Sequence, residues 1–353
     1  MIDIKLLEQL CLCNGISGDE GNVRNLIINE IKDCADDIKT DNLGNLIVFK
    51  KGKKSAKSKL MVSVHMDEVG LMVTDITSDG YLKFDEVGGI DRRVLPGKRV
   101  CVGRNGLNGV IGVKPIHLTN GDEKTAVPKM SDMYIDIGAE SREDALKYVN
   151  YGDGINFEGD FKINGKTVVT KALDDRFGCY VLINLIKSEP EYDMYFTFVV
   201  QEEVGLRGAR PAAFTVNPDF ALVIESTTAA DVAEVDASHQ VCNLSKGATV
   251  TVMDRATVYD KEMISAAFEL AEKNNRGRKI IDFVGHKKIF YGISLAIIII
   301  GIVCNFIFGT QLDIQFSGGA TLKFSYSGEP EILKPSRFPV KITIFAVRTF
   351  PVR

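Results

Sequence analysis

Apolar residues recur at helical spacing near the start of the chain, and a continuous apolar run follows. After Ser17-Gly-Asp-Glu20, the residues Val23, Ile27 and Ile31 fall on one helical face. A serine followed three positions later by a glutamate is typical of a capping box, so we predict that a helix begins there. Residues 60–65 are apolar almost throughout, as expected of a strand that is covered on both faces.

Between about residue 69 and residue 167 the pattern changes to short β-rich stretches broken by glycine, such as Asp79-Gly80 and Asp153-Gly154. The alternation of apolar strand and helix then resumes. Further strands are predicted at residues 46–49, 195–201 and 220–224, and further helices at residues 174–187 and 262–275. The pattern therefore predicts an α/β fold with a core sheet and flanking helices, formed by residues 1–68 and 168–275 and interrupted by an inserted all-β domain at residues 69–167.

Residues 289–309 contain no charged side chain. A helix of that length, at about 1.5 Å per residue, spans roughly 31 Å, which matches the roughly 30 Å hydrocarbon core of a bilayer. We predict a carboxyl-terminal transmembrane helix here, and a buried core helix is the alternative. Because basic residues precede the helix, the part before it is expected on the inner face of the cell membrane; these residues are Arg276, Arg278, Lys279, Lys287 and Lys288. Residues 331–353 show no clear period and contain three prolines, so we expect an irregular tail.

Composition and charge narrow the possible partners and the compartment. Of 353 residues, 45% are apolar, which is enough for more than one folded unit. The formal net charge is −4, and the short basic run at residues 50–59 is expected to be a solvated loop, so no nucleic-acid partner is predicted. Seven cysteines without paired spacings indicate a reducing, cytoplasmic setting. The amino-terminal pattern is amphipathic, so no signal peptide is expected.

Candidate ligands follow the predicted strands, where α/β sheets commonly place them. His65-Met-Asp67 ends one strand, and residues two apart share a face, so the imidazole and the carboxylate can act as ligand and orienter. Asp174 and Asp175 open a helix. There, one carboxylate could bridge two cations, or the pair could simply complement the helix dipole.

Two further acidic positions end apolar strands. In Gln201-Glu202-Glu203-Val-Gly205, adjacent glutamates at a strand end are expected to point to different sides, so that one can bind metal while the other moves a proton. Glu225 is a lone acid after an apolar run, which is costly unless the acid is paired or bound to metal. Four such positions together are hard to attribute to surface charge.

Six ordered motifs resemble the dinuclear metallo-aminopeptidases of the glutamyl aminopeptidase and tetrahedral (TET) type. The resemblance covers about residues 1–275, and its motifs are Ser17-Gly-Asp-Glu20, His65-Met-Asp-Glu-Val-Gly70, Gly88-Gly-Ile-Asp-Arg-Arg-Val-Leu-Pro-Gly97, Lys171-Ala-Leu-Asp-Asp-Arg176, Gln201-Glu-Glu-Val-Gly205 and Met253-Asp-Arg-Ala-Thr257. It implies hydrolytic removal of amino-terminal residues from peptide substrates.

The same resemblance implies a role for each candidate. His65 and Glu225 would bind one metal ion, Asp174 would bridge both ions, and Glu203 would bind the second. Asp67 would orient His65, and Glu202 would be the general base. Two divalent cations are implied, and zinc or cobalt suits the mixed imidazole and carboxylate donors.

The resemblance also implies a homo-oligomer formed through the β insert. In that family a second metal-binding histidine lies downstream of the helix that matches residues 262–275, and we find no such stretch in this sequence. The remaining histidines, His117, His239 and His286, lie in no matching context. We therefore expect a weakened second metal site and impaired activity.

From about residue 280 to residue 325 the sequence resembles the start of the protein-export membrane subunit SecF. The motifs are Asp282-Phe-Val-Gly-His-Lys-Lys288 and Gln315-Phe-Ser-Gly-Gly319, and the second only approximates the family signature. We assign residues 280–330 to a SecF-like segment and interpret the chain as a chimeric sequence. Two alternatives to an impaired aminopeptidase remain: an inactive fusion or assembly artefact, and a membrane-anchored export fragment.

Overall fold

The computed structural model describes residues 3–121, 126–165, 167–244, 247–254, 257–273 and 343–348. The chain begins with helices α1 (Ile4–Leu12) and α2 (Gly21–Ile31), followed by strands β1 (Asp37–Thr40), β2 (Leu46–Lys50) and β3 (Leu60–His65). The carboxylate of Asp3 accepts hydrogen bonds from the backbone N–H groups of Lys5 and Leu6, which would otherwise lack partners in the first turn of α1.

The segment after β3 forms a closed barrel. Its strands are β4 (Gly70–Ile76), β5 (Leu82–Val87), β6 (Arg99–Val102), β7 (Leu107–Gly112), β8 (Tyr134–Asp136) and β9 (Gly154–Phe157), in the order β4-β5-β8-β7-β6-β9, with the short helix α3 (Arg142–Ala145) before β9. Leu71, Val100 and Ile135 belong to a buried cluster formed by the barrel itself. The barrel lies where an inserted all-β domain was predicted; the domain boundaries stay a prediction. Strands β10 (Lys162–Asn164) and β11 (Thr167–Val169) follow as an antiparallel pair.

The rest of the chain returns to the main sheet. Its elements are helix α4 (Leu173–Lys187), strand β12 (Met194–Val199), helix α5 (Ala209–Val216), strands β13 (Phe220–Glu225) and β14 (Thr249–Val250), helix α6 (Lys261–Lys273) and strand β15 (Thr343–Arg348). The sheet has the order β1-β2-β12-β3-β13-β15-β14. Its three neighbouring strands β12, β3 and β13 are parallel, so their carboxyl ends meet at one edge.

The core lies between this sheet and helices α1, α2 and α4. Leu10, Ile27 and Ile183 from the three helices pack with Val62 and Phe196 from the central strands, and all five side chains are almost completely buried. The buried residues of β3 face both sides of the sheet, as the continuous apolar pattern predicted. The packed core therefore keeps the strand ends, which carry the candidate ligands, in fixed positions.

Two predictions about local structure are wrong. The first residue of α2 follows Glu20, and the helix has no side-chain hydrogen bond at its amino terminus, so Ser17 and Glu20 do not form a capping box. Their side chains bond to other segments, because tertiary partners compete with local caps. Residues 343–348 are not an irregular tail, because β15 pairs antiparallel with β13 and parallel with β14, and thereby completes the sheet beside β13.

The predicted transmembrane helix at residues 289–309 and the SecF-like segment at residues 280–330 lie outside the described residues. Within the described part of the chain, no helix combines the length and the apolar character needed to cross a bilayer.

Candidate metal centre

His65 is the centre of the acidic cluster at this edge of the sheet. It ends β3, and its side chain is 2% exposed. Its Nε2 lies 3.0 Å from Oδ1 of Asp174 and 3.4 Å from Oε1 of Glu225. Its Nδ1 lies 3.4 Å from Oδ1 of Asp67 and 3.1 Å from the backbone oxygen of the same residue. Burial lowers the pKa of His65, but the carboxylates of Asp174, Asp67 and Glu225 outweigh burial and raise that pKa well above its usual value.

Asp174 and Asp175 lie at the start of α4, are joined by a cis peptide bond, and have non-helical backbone angles. Burial raises the pKa of Asp174, but its hydrogen bond with His65 dominates and the pKa is lowered. Asp175 is completely buried; its Oδ1 accepts a hydrogen bond from the backbone N–H of Gly178, whereas Oδ2 has no partner. Burial, followed by the charge of Glu225, raises the pKa of Asp175 well above the usual range.

Strand β12 ends at Val199, and Glu202 and Glu203 lie in the turn that follows it. The backbone N–H of Glu202 donates to Oδ1 of Asp67 at 3.0 Å, and that of Glu203 donates to Oδ2 of Asp67 at 3.1 Å. The alternation of a strand does not apply in such a turn. The expectation that the two side chains point to different sides is wrong, because a carboxylate oxygen of each lies within 4.8 Å of a ring nitrogen of His65.

The raised pKa values of these acids fit a site for cations. Burial is the largest influence on all three groups; it raises the pKa of Glu203 to about 7, that of Glu225 to about 7, and that of Glu202 above its usual value. Carboxylates this close repel one another, and a bound cation relieves that repulsion. The donor set of one imidazole and several carboxylates suits divalent transition metals.

The structure brings together all six residues that sequence analysis selected. Two clusters of possible ligand atoms share the imidazole: His65 with Asp174 and Glu225, and His65 with Glu202 and Glu203. The family resemblance implied that Asp174 and Glu203 together bind the second cation. In the structure, the cluster that contains Glu203 includes His65 and Glu202 but not Asp174. His117 and His239 are exposed.

The sequence analysis did not predict a buried ion network that Arg176 and Lys171 form with Glu68. Arg176 is completely buried and donates to the backbone oxygens of Leu10 at 2.6 Å and Met66 at 2.9 Å, and to Oε1 of Glu68 at 3.3 Å. Lys171 donates to the same Glu68 oxygen at 2.9 Å. In the sequence, Arg176 directly follows the Asp174-Asp175 pair and precedes the largely apolar remainder of α4. This basic residue before an apolar run is the feature that could have indicated the network.

An α/β sheet that gathers an imidazole and several carboxylates at the carboxyl ends of its parallel strands and at the start of a helix defines the class of metallohydrolases with a co-catalytic site. Within that class, the chain belongs to the M42 glutamyl aminopeptidase family, whose sequence profile matches residues 44–281. It is a metal-dependent aminopeptidase.

Similar proteins share both sequence and fold with this chain. Lysyl aminopeptidase of Pyrococcus furiosus is 34% identical over 284 residues, which cover 77% of this chain and 79% of the relative. The TET aminopeptidase of Thaumarchaeota archaeon SCGC AB-539-E09 superposes with a TM-score of 0.73 at 33% identity, covering 77% of this chain and 79% of that one. The Pyrococcus horikoshii TET1 peptidase, which can assemble into a tetrahedron or a large octahedral shell, superposes with a TM-score of 0.66 at 40% identity, covering 77% and 81%.

Proposed function

We propose that the chain removes amino-terminal residues from peptides at a two-cation site formed by the residues around His65. His65 and Glu225 would hold the first cation, Glu203 would hold the second, and Asp174 would bridge the two. The observation that carries this assignment is the convergence of these side chains on one nearly completely buried imidazole. Two divalent cations, zinc or cobalt, would polarise the scissile carbonyl and acidify the attacking water.

Glu202 is the proposed general base. It takes a proton from the attacking water and passes it to the leaving amine, while Glu203 remains ionised as a ligand. Burial raises the pKa of Glu202, which brings its proton affinity closer to that needed near neutral pH. Asp67 contacts His65 and both turn amides, so it orients the imidazole and the base together.

The test compares Glu202→Gln with Glu203→Gln. We expect Glu202→Gln to lower kcat by about 10²- to 10⁴-fold and to retain both cations, because it removes the proton acceptor but no ligand. Glu203→Gln should lose the second cation. Turnover on aminoacyl substrates and metal content per chain are measured on the same preparations. Equal metal loss in the two variants would refute the distinction between base and ligand.

The second cation is proposed to bind more weakly than the first. The family resemblance takes its other histidine from a downstream stretch, and His117 and His239 are exposed. Three protein ligands would hold the first cation, whereas the ligands proposed for the second, within the described part of the chain, are the Asp174 and Glu203 carboxylates. Adding a family-like carboxyl-terminal segment after Asn275 should tighten the second cation and raise turnover.

The SecF-like segment is proposed to have joined the chain by fusion or by an assembly error, because its motifs resemble that family. A single membrane crossing at residues 289–309, with the aminopeptidase part on the cytoplasmic side, would carry residues 343–348 to the far side of the bilayer. Such a crossing is therefore incompatible with β15, which pairs with β13 in the main sheet. An independent clone read across codons 270–285 would test the junction.

A further inference from the structure

The loop between α1 and α2 reaches the turn that carries Glu202 and Glu203. The hydroxyl of Ser17 donates to Oδ2 of Asp67 at 2.5 Å. Oε1 of Glu20 accepts hydrogen bonds from the backbone N–H of Gly18 at 2.7 Å and from that of Gln201 at 3.1 Å. Ser17 is 5% exposed and Glu20 is 4% exposed. Both polar side chains are therefore buried and directed at the catalytic edge of the sheet.

Three consecutive amides of the turn are thus bound by two carboxylates. Glu20 accepts from Gln201, and Asp67 accepts from Glu202 and Glu203. Gln201 has a φ of +54°, in the left-handed region that a residue with a side chain rarely adopts. Such a conformation persists where its surroundings fix it, and the Glu20 carboxylate supplies one of these fixed contacts.

Helix capping does not account for Ser17 and Glu20. Neither side chain caps α2, which has no side-chain hydrogen bond at its amino terminus. Ser17 instead fixes one oxygen of Asp67, while the other oxygen faces Nδ1 of His65 at 3.4 Å. A single loop therefore contacts both the residue that orients His65 and the turn that carries the base.

We propose that Ser17 and Glu20 are positioning residues for catalysis: they hold the Gln201–Glu203 turn and the Asp67 carboxylate in fixed positions, so that Glu202 can accept the proton while Glu203 binds the second cation. This inference rests on the proposed roles of Glu202 and Glu203. Ser17 and Glu20 belong to neither cluster of possible ligands, and they would act through the turn amides and Asp67.

The test uses the full chain with Ser17→Ala and Glu20→Ala, each paired with a conservative variant. Ser17→Thr keeps the hydroxyl and Glu20→Gln keeps an acceptor oxygen, so both should restore function. Asp19→Ala removes a carboxylate from the same loop and is the matched control. No hydrogen bond of the Asp19 side chain is found among the described residues, so this variant should behave as the unaltered chain.

Three quantities are measured. Cobalt titration followed by visible absorption should show the second cation weakened by about 10- to 100-fold and the first unchanged, since supports of ligands commonly have effects of this size. The value of kcat should fall by a similar factor with little change in KM. In the metal-free chain, the amides of residues 201–203 should exchange hydrogen about tenfold faster or more, with the strand β3 unaffected.

The outcomes separate this inference from the proposed function. If the unaltered chain binds no cation, the proposed site fails, and amide exchange still decides whether the loop fixes the turn. If the alanine variants leave exchange, cobalt affinity and kcat unchanged, the positioning role is wrong. If exchange accelerates equally throughout the chain, or if Ser17→Thr and Glu20→Gln do not rescue, Ser17 and Glu20 are general stability residues and the inference is overturned.

Discussion

At the scale of single residues, the buried charges of the site are stabilised by partners that come from distant parts of the sequence. Arg176 on α4 connects α1 with the segment after β3 through its bonds to Leu10, Met66 and Glu68. A buried guanidinium with this many acceptors costs little only while all of them remain in place. The network therefore couples the start of α4, and with it Asp174, to the strand that ends in His65.

Arg176→Met should lower the free energy of unfolding by about 3–5 kcal/mol, because it leaves the Glu68 carboxylate and several buried carbonyls short of a donor. Urea denaturation measures the change. Arg210→Met is the matched control, since Arg210 is exposed on α5, and a change within about 0.5 kcal/mol is expected there. A loss below about 1 kcal/mol in Arg176→Met would show that the network contributes little.

The raised pKa values of Glu203 and Glu225, both about 7, set a pH dependence for the metal-free chain. In the unfolded chain these carboxyls ionise near their ordinary pKa of 4.5, so the folded state binds more protons between that pH and about 7. The pKa of His65 is also raised, which favours the folded state at low pH in the same way. Stability of the metal-free chain should therefore decrease as the pH rises from about 5 to about 8.

Cations should reverse this trend, because they bind the ionised carboxylates and displace their protons. The increase in Tm on adding cobalt should be larger at pH 8 than at pH 6, as measured by thermal denaturation. Glu203→Gln should flatten the dependence, since it removes one of the titrating groups. A metal-free Tm that rises across this pH range would contradict the assignment of these raised pKa values.

At the scale of elements, the sequence predicted those helices and strands that depend on a local pattern of apolar residues. Strands β3 and β12 and helix α2 could be recognised from the sequence, because their apolar patterns depend on neighbouring residues. The carboxylates at the strand ends could be recognised in the same way. The role of Ser17 and Glu20 could not be predicted, because their partners Asp67 and Gln201 are distant in sequence. The turn at Glu202 could not either, because alternation was assumed beyond the last residue of β12.

Strand β15 escaped prediction for a related reason. Its six residues pair with β13, which lies more than a hundred positions earlier in the chain, so the pairing is non-local. Without it, β13 would present a row of unpaired backbone groups at its edge. The strand is therefore expected to contribute to the stability of the same sheet that positions Glu225.

A chain ended at residue 342 should unfold at a lower temperature and self-associate, because it leaves the edge of β13 open. A chain ended at residue 348 keeps β15 and is the matched control, which should behave as the full chain. Thermal denaturation and light scattering measure the two effects, and hydrogen exchange of residues 220–225 locates them. Identical exchange in the two truncated chains would show that β15 does not protect β13.

At the scale of the whole molecule, the homo-oligomer that the family resemblance implied, formed through the β insert, stays a prediction. Similar proteins form assemblies, among them the Pyrococcus horikoshii TET1 peptidase. On this chain Ile116 and Leu118, in the connection between β7 and β8, are 70% and 59% exposed. These two side chains give the prediction a place where it can be tested by substitution.

The double substitution Ile116→Glu and Leu118→Glu should reduce the mass of the particle in light scattering, because two buried charges oppose the contact. Phe214→Glu is the control, since Phe214 on α5 is 89% exposed and lies outside the barrel. It should leave the mass unchanged. A particle that keeps its mass in the double variant but dissociates with Phe214→Glu would place the contact on the main sheet instead.

The central claim is that the cluster around His65 is a cation site that hydrolyses peptides from their amino termini. The most direct measurement is turnover of a free peptide and of its amino-terminally acetylated form by the full chain, after chelation and after stepwise return of zinc or cobalt. The account predicts no turnover in the metal-free chain, recovery that follows cation occupancy, and cleavage of the free peptide alone. Undiminished turnover without cations, or equal cleavage of the acetylated peptide, would contradict it.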